Sequence, residues 1–129
     1  MDDRDAIVTT VSDYWEGWFD GDGDRMARAV HPGLAKTGVV IDAPGPRITG
    51  TMTAEDMIRW TRAGEGVAEK PADAGFELTI NDIYHEIATA TVRSGIYREY
   101  LHLAKTPDGW RIVSALYTHV REDPAPTGT

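Results

Sequence analysis

The sequence predicts an α+β fold in which helices gather early and a mostly antiparallel sheet follows. Three observations carry this. The N-terminal segment holds one apolar stripe at helical spacing. The C-terminal third alternates polar and apolar residues in consecutive segments. One loose connection, Gly64–Gly75, separates the two regions, so β and α units do not alternate regularly along the chain.

Ile7, Val8, Val11, Tyr14, Trp15, Trp18 and Phe19 fall on one helical face. Asp2, Asp3 and Asp5 stand at the positive end of that helix, where carboxylates are favoured. Gly21-Asp-Gly23 stops it, and Asp22 can cap a short second helix with Met26, Ala27 and Val30 inward. Pro32 ends the second helix at or before His31. Leu34–Ile41 reads as a strand, and Asp42–Gly50 as a Pro/Gly loop. Thr53 with Asp56 three residues on resembles a capping box, opening a third helix with Met57, Ile58 and Trp60. Phe76, Leu78 and Ile80 then alternate with Glu77, Thr79 and Asn81. Ile87–Ser94, Gly95–Lys105 and Trp110–Arg121 read as three more strands, the last two joined by the turn Pro107-Asp108-Gly109. The order is α-α-β-α-β-β-β-β.

The chain has 129 residues, no cysteine and a net charge of −8. Its length fits one domain, expected over 1–121, with a disordered tail over 122–129 that carries two prolines and no apolar pattern. Without cysteine there are no disulfides, no thiolate nucleophile and no cysteine-bound metal. The acidic balance speaks against nucleic acid and against anionic membrane as partners. The start, Met-Asp-Asp-Arg-Asp, lacks the basic and apolar regions of a secretory signal, and no apolar run approaches membrane length. A cytoplasmic protein is expected. Four histidines without ligand spacing give no metal motif, and Gly21-Asp-Gly23 lacks the Gly-Lys-Ser/Thr of a phosphate loop. No cofactor is expected.

Several segments together are similar to the nuclear-transport-factor-2-like superfamily. They are Tyr14-Trp-Glu-Gly-Trp18, Gly21-Asp22, Met26, Val30-His31-Pro32 with Leu34, Asp82-Ile-Tyr84, Tyr100-Leu-His-Leu-Ala-Lys105 and Gly109-Trp-Arg-Ile-Val113. The resemblance runs from Ala6 to Val120. It is nearest to the branch described as putative lumazine-binding, beside the SnoaL-like polyketide cyclases and the ketosteroid isomerases. It implies a cone-shaped α+β barrel, with a curved sheet wrapped on three N-terminal helices and a ligand pocket between the sheet and the first helix. It also implies a homodimer through the outer sheet face.

By analogy with the ketosteroid isomerases, Tyr14 falls on an oxyanion-donating tyrosine, Asp42 near a proton-shuttling aspartate, and His102 where that family has a second, acidic donor. Histidine there is a departure, since it changes polarity and pH dependence. Taking the pocket geometry from the resemblance, Tyr100, His102 and Ala104 share one strand face, and Val113, Ala115, Tyr117 and His119 another. Trp15, Trp18 and Trp60 supply walls, and His31 reaches the mouth. Each residue has an ordinary reading beside this one. Tyr14 fits core packing, Asp42 a turn start, His31 a helix end, and His102 a hydrogen-bonded structural histidine.

The expected function is therefore a small cofactor-independent enzyme of isomerase, cyclase or dehydratase type. Its substrate would be an apolar carbonyl-bearing metabolite, handled by general acid–base chemistry at Tyr14, Asp42 and His102. The alternatives are a non-catalytic small-molecule-binding module and a dimerisation module, the latter expected to have Trp18, Trp60 and Tyr117 packed shut. A net charge of −8 favours a neutral or weakly cationic ligand.

Overall fold

A computed structural model describes residues 1–121. The expected tail over 122–129 lies outside the described residues. Helix α1 spans Asp3–Asp20 and is capped by the Asp2 carboxylate, which accepts from the Asp5 amide at 2.8 Å. Gly21 ends it in the left-handed region, φ 69°, as a C-terminal glycine does readily. Ile7, Val11, Tyr14, Trp15 and Phe19 are buried as the stripe predicts, but Val8 stays 45% exposed. Thr10 takes a buried position instead, its hydroxyl donating to the Trp110 carbonyl at 2.9 Å.

Helix α2, Gly23–Ala29, is capped by Asp22. The second helix stops before His31 as expected, and strand β1 runs Val30–Asp42, so it starts at Val30 and not at Leu34 and takes in His31 and Pro32. The expected Asp42–Gly50 loop is a hairpin: β2, Gly45–Ile48, returns antiparallel along β1 with Val39 opposite Ile48. Helix α3, Ala54–Arg62, opens with the capping box of Thr53 and Asp56, both bonds formed. Within the loose stretch lies a further short helix, α4, Glu65–Glu69.

Strands β3 (Phe76–Tyr84), β4 (Ile87–Ser94), β5 (Tyr97–Thr106) and β6 (Gly109–His119) form an antiparallel run. The Pro107–Gly109 turn joins the last two, with Gly109 at φ 111°. The six-stranded sheet has the order β2-β1-β6-β5-β4-β3, and β1 lies parallel to β6. This curved sheet packed on N-terminal helices is the α+β architecture the sequence predicts. Its concave face buries Val92, Leu101, Leu103, Trp110 and Ile112 against Ile7, Val11 and Met26 of the helices. Among the described residues no helix is long and apolar enough to cross a membrane.

The alternation of β5 and a bulge in β6 decide which side chains face inward. On β5 the apolar Tyr97, Leu101 and Leu103 are buried, and period 2 puts Glu99 with them. Tyr100, His102 and Ala104 therefore point to the outer face, opposite to expectation. On β6 the register slips between the pairs His102–Ser114 and Leu103–Ile112, leaving Val113 as the extra residue. Trp110 and Ile112 face inward before the bulge, and Ala115 and Tyr117 after it. Val113 moves to the outer face beside His102.

Candidate functional site

A cavity of ≈ 240 Å³ opens between α1 and the end of the sheet where β1, β6 and β5 meet. Helix α1 contributes Tyr14, Trp15 and Trp18 because these lie on its inward stripe. From the sheet come Tyr97 and Glu99 of β5, Tyr117 and His119 of β6, and Lys36 of β1. Met57 and Trp60 of α3 and Glu69 of α4 complete the wall, with Met52. Met52 is held by two backbone hydrogen bonds to Lys36, of 2.9 and 2.7 Å.

A row of paired positions explains the inner end of the cavity. Gly38, Tyr117 and Glu99 are neighbours across β1, β6 and β5. The Tyr117 ring lies directly on Gly38, where a Cβ would stand 2.5 Å from a ring carbon. Only glycine leaves that space. Lys36, two residues earlier on the same face, lays its ammonium 4.8 Å from the Tyr117 ring centre and 4.9 Å from that of Tyr14.

At this end Tyr14 Oη donates to Glu99 Oε1 at 2.6 Å, and Lys36 Nζ donates to Tyr14 Oη. Lys36 Nζ and Glu99 Oε1 form an ion pair at 3.3 Å, with Glu99 only 3% exposed. Oε1 thus takes both contacts. Among the described residues, Oε2 accepts no hydrogen bond. Burial and the Glu99 charge hold the Tyr14 hydroxyl well above the usual phenol range, so it stays a neutral donor.

The outer end is organised by Glu69. Its Oε1 accepts from Tyr97 Oη at 2.6 Å and from Trp18 Nε1 at 2.7 Å. Helix α4 can bring Glu69 here because Gly66 packs on the Trp18 carbonyl, where a Cβ would sit 2.1 Å from the oxygen. Burial and Glu69 raise the Tyr97 phenol, and burial and Glu99 raise that of Tyr117. The Tyr97 ring meets the rings of Tyr117 at 5.6 Å and His119 at 4.9 Å.

The structure brings Tyr14, Trp15, Trp18, Trp60, Tyr117 and His119 to one cavity. Four other expected residues lie elsewhere. Asp42 ends β1 beyond the cavity, paired with Arg47 at 3.1 Å across the hairpin turn. His102 faces outward because Leu101 and Leu103 take the inner positions, and its Nδ1 lies 3.0 Å from Ser114 Oγ. Tyr100 is outward for the same reason, 53% exposed. His31 sits at the start of β1, its Nδ1 accepting from the Gly33 amide at 2.9 Å. The proposed Tyr14–Asp42–His102 constellation therefore does not assemble. Lys36, Glu99, Glu69 and Tyr97 stand at the cavity instead. The signal for Lys36 was period 2 from Leu34, and for Glu99 period 2 from Leu101 and Leu103. Among the described residues no group of three or more histidine or carboxylate side chains is placed to hold a metal ion.

Fold and cavity together define a cone-shaped α+β protein with an aromatic-walled pocket under its first helix. The family model described as "Putative lumazine-binding" matches residues 2–118, and the chain belongs to that family. Solved structures with the same fold include two NTF2-like proteins of unknown function. The one from Shewanella baltica OS155 is 21% identical with a TM-score of 0.67, over 92% of this chain and 94% of that one. The one from Methylobacillus flagellatus KT is 22% identical with a TM-score of 0.67, over 94% of both chains. A third NTF2-like protein of unknown function, from Silicibacter pomeroyi DSS-3, is 18% identical with a TM-score of 0.65, over 91% and 95%. No curated protein matches.

Proposed function

We propose that this chain binds a small carbonyl-bearing metabolite in the cavity and moves a proton on it without a cofactor. Glu99 takes the place first given to Asp42. The observation that supports this is a buried carboxylate with one oxygen left free, beside an ammonium at 3.3 Å, at the inner end of an aromatic-walled cavity. In a carbonyl compound the acidic α-carbon and the oxygen are two bonds apart. A base and a cationic donor that touch each other are therefore spaced for both. Glu99 removes the α-proton, Lys36 with Tyr14 behind it meets the charge that develops on oxygen, and Glu99 returns the proton to another carbon. The cavity is smaller than the roughly 300–1,000 Å³ of drug-sized sites. This favours a compact substrate over a polycyclic one.

A non-catalytic binder is the second reading. It is supported by the ion pair and hydrogen bond that already join Lys36, Tyr14 and Glu99 Oε1. A purely dimerising module is disfavoured, because Trp18, Trp60 and Tyr117 line open space. As part of the proposal the protein is a cytoplasmic homodimer. Tyr84, Ile87, Tyr100 and Leu116, all more than two-fifths exposed on the outer sheet face, would form the contact.

Mass spectrometry of the purified protein identifies the co-purifying compound, and NMR in heavy water follows exchange of its α-protons. The expected result is exchange that slows about 10²-fold or more in Glu99→Gln, with binding retained. Binding without exchange by the native chain overturns catalysis and leaves the binder. Absence of any bound compound counts against both.

A further inference from the structure

Charge balance in the cavity is uneven, and the unevenness identifies a ligand class. At the inner end Lys36 and Glu99 cancel each other. At the outer end Glu69 is met only by neutral donors, Trp18 Nε1 and Tyr97 Oη. The adjacent Lys70 turns away to Asp20, at 3.0 Å. Both donors use Oε1, so among the described residues Oε2 accepts nothing. Among the described residues no cation pairs with Glu69: Arg59, over the Trp60 ring at 5.8 Å, is itself paired with Asp56 at 2.8 Å.

We infer that the ligand carries a protonated amine, which docks on Glu69 beside Trp18 and Tyr97, with Trp60 in the same aromatic wall. The inference rests on the reading of the cavity as a ligand site and specifies what enters it. Aromatic faces attract cations, and a carboxylate beside them adds a charge-assisted hydrogen bond. The protein already uses this chemistry next door, where the Lys36 ammonium rests between the rings of Tyr14 and Tyr117. Burial keeps the phenols of Tyr97 and Tyr117 protonated, so both remain donors.

Size narrows the class further. A cavity of roughly 150 Å³ takes up benzene. One of ≈ 240 Å³ admits a single ring with a short arm. An arylalkylamine of this size would set its ammonium at Glu69 and its other end toward Lys36 and Glu99.

The test is calorimetric titration at pH 8 with 2-phenylethylamine and with 2-phenylethanol, which differ mainly in charge. The native protein should bind the amine about tenfold more tightly or better. In Glu69→Gln, the preference should fall to near one. Trp60→Leu, which leaves Glu69 in place, should weaken the amine several-fold more than the alcohol and guards against a folding defect in the first variant. Equal binding of the two probes, or a preference that survives Glu69→Gln, overturns the amine inference. Alcohol binding in that case leaves the cavity standing as a ligand site. If neither probe binds, the inference also falls, and the site reading is judged by the co-purifying compound alone.

Discussion

Replacing Lys36 by Met tests whether the inner cluster holds its charges out of water. The substitution keeps most of the side-chain volume and removes the ammonium. Glu99, 3% exposed, is left with the neutral Tyr14 hydroxyl as its only hydrogen-bond partner among the described residues. At the observed 3.3 Å, Coulomb attraction at an effective dielectric of 20 is about 5 kcal/mol. Breaking a buried pair by removing one partner costs about 3–5 kcal/mol, because the remaining charge stays desolvated. For a chain of this length that lowers the melting temperature by roughly 10–20 °C. Adding Glu99→Gln to Lys36→Met removes the orphaned charge and should recover most of the loss. Thermal melts by circular dichroism at neutral pH read both effects. If Lys36→Met melts within a degree or two of the native chain, the pair is solvated and the argument for a desolvated catalytic carboxylate fails. The same conclusion follows if the double variant is as unstable as the single one.

Four other outcomes follow from the geometry. The phenols of Tyr14, Tyr97 and Tyr117 are all raised in the folded state, so folding favours their protonated forms. Their stabilising effect is full below the unfolded value near 10 and is lost as pH rises beyond it. Tyrosinate absorbance should therefore lag, with three of the five tyrosines ionising only as the chain unfolds; smooth titration of all five in a folded chain would refute this. Gly38→Ala places a Cβ against the Tyr117 ring and should destabilise by about 1–3 kcal/mol while distorting the cavity, as read by denaturant melts and ligand affinity. Light scattering after size exclusion should give twice the chain mass. Leu116→Asp should shift it toward monomer, and His102→Ala should leave cavity binding unchanged; a monomeric native chain would sink the outer-face contact.

How legible these features were depends on what stabilises each one. Helix α1, the Thr53–Asp56 box, the Ile87–Ser94 strand and the Gly109 turn depend on local patterns and were visible in the residues. Strand β2 and helix α4 are short, with weak propensity of their own. They exist because β1 offers a ladder to β2 and because Gly66 fits against the Trp18 carbonyl. The aromatic walls could be read because α1 has one inward stripe. The polar groups could not, because a strand exposes both faces and a one-residue shift exchanges them. Assigning His102 inward moved every side chain of β5 to the wrong side. The two leucines flanking it carried the correct answer. The Val113 bulge then changed face partway along β6, which no alternation pattern anticipates.

The parallel pairing of β1 with β6 has a further consequence for how the molecule comes into being. Thr10 bonds to Trp110, Asp3 to Trp110 and Lys105, and Thr118 to Val39. The inner end of the cavity lies across this seam, where residues near 117 meet residues near 36. Contacts this distant along the chain make folding slow. Lys36 on β1 and Glu99 on β5 meet only across β6, so their ion pair exists only in a chain whose seam has closed.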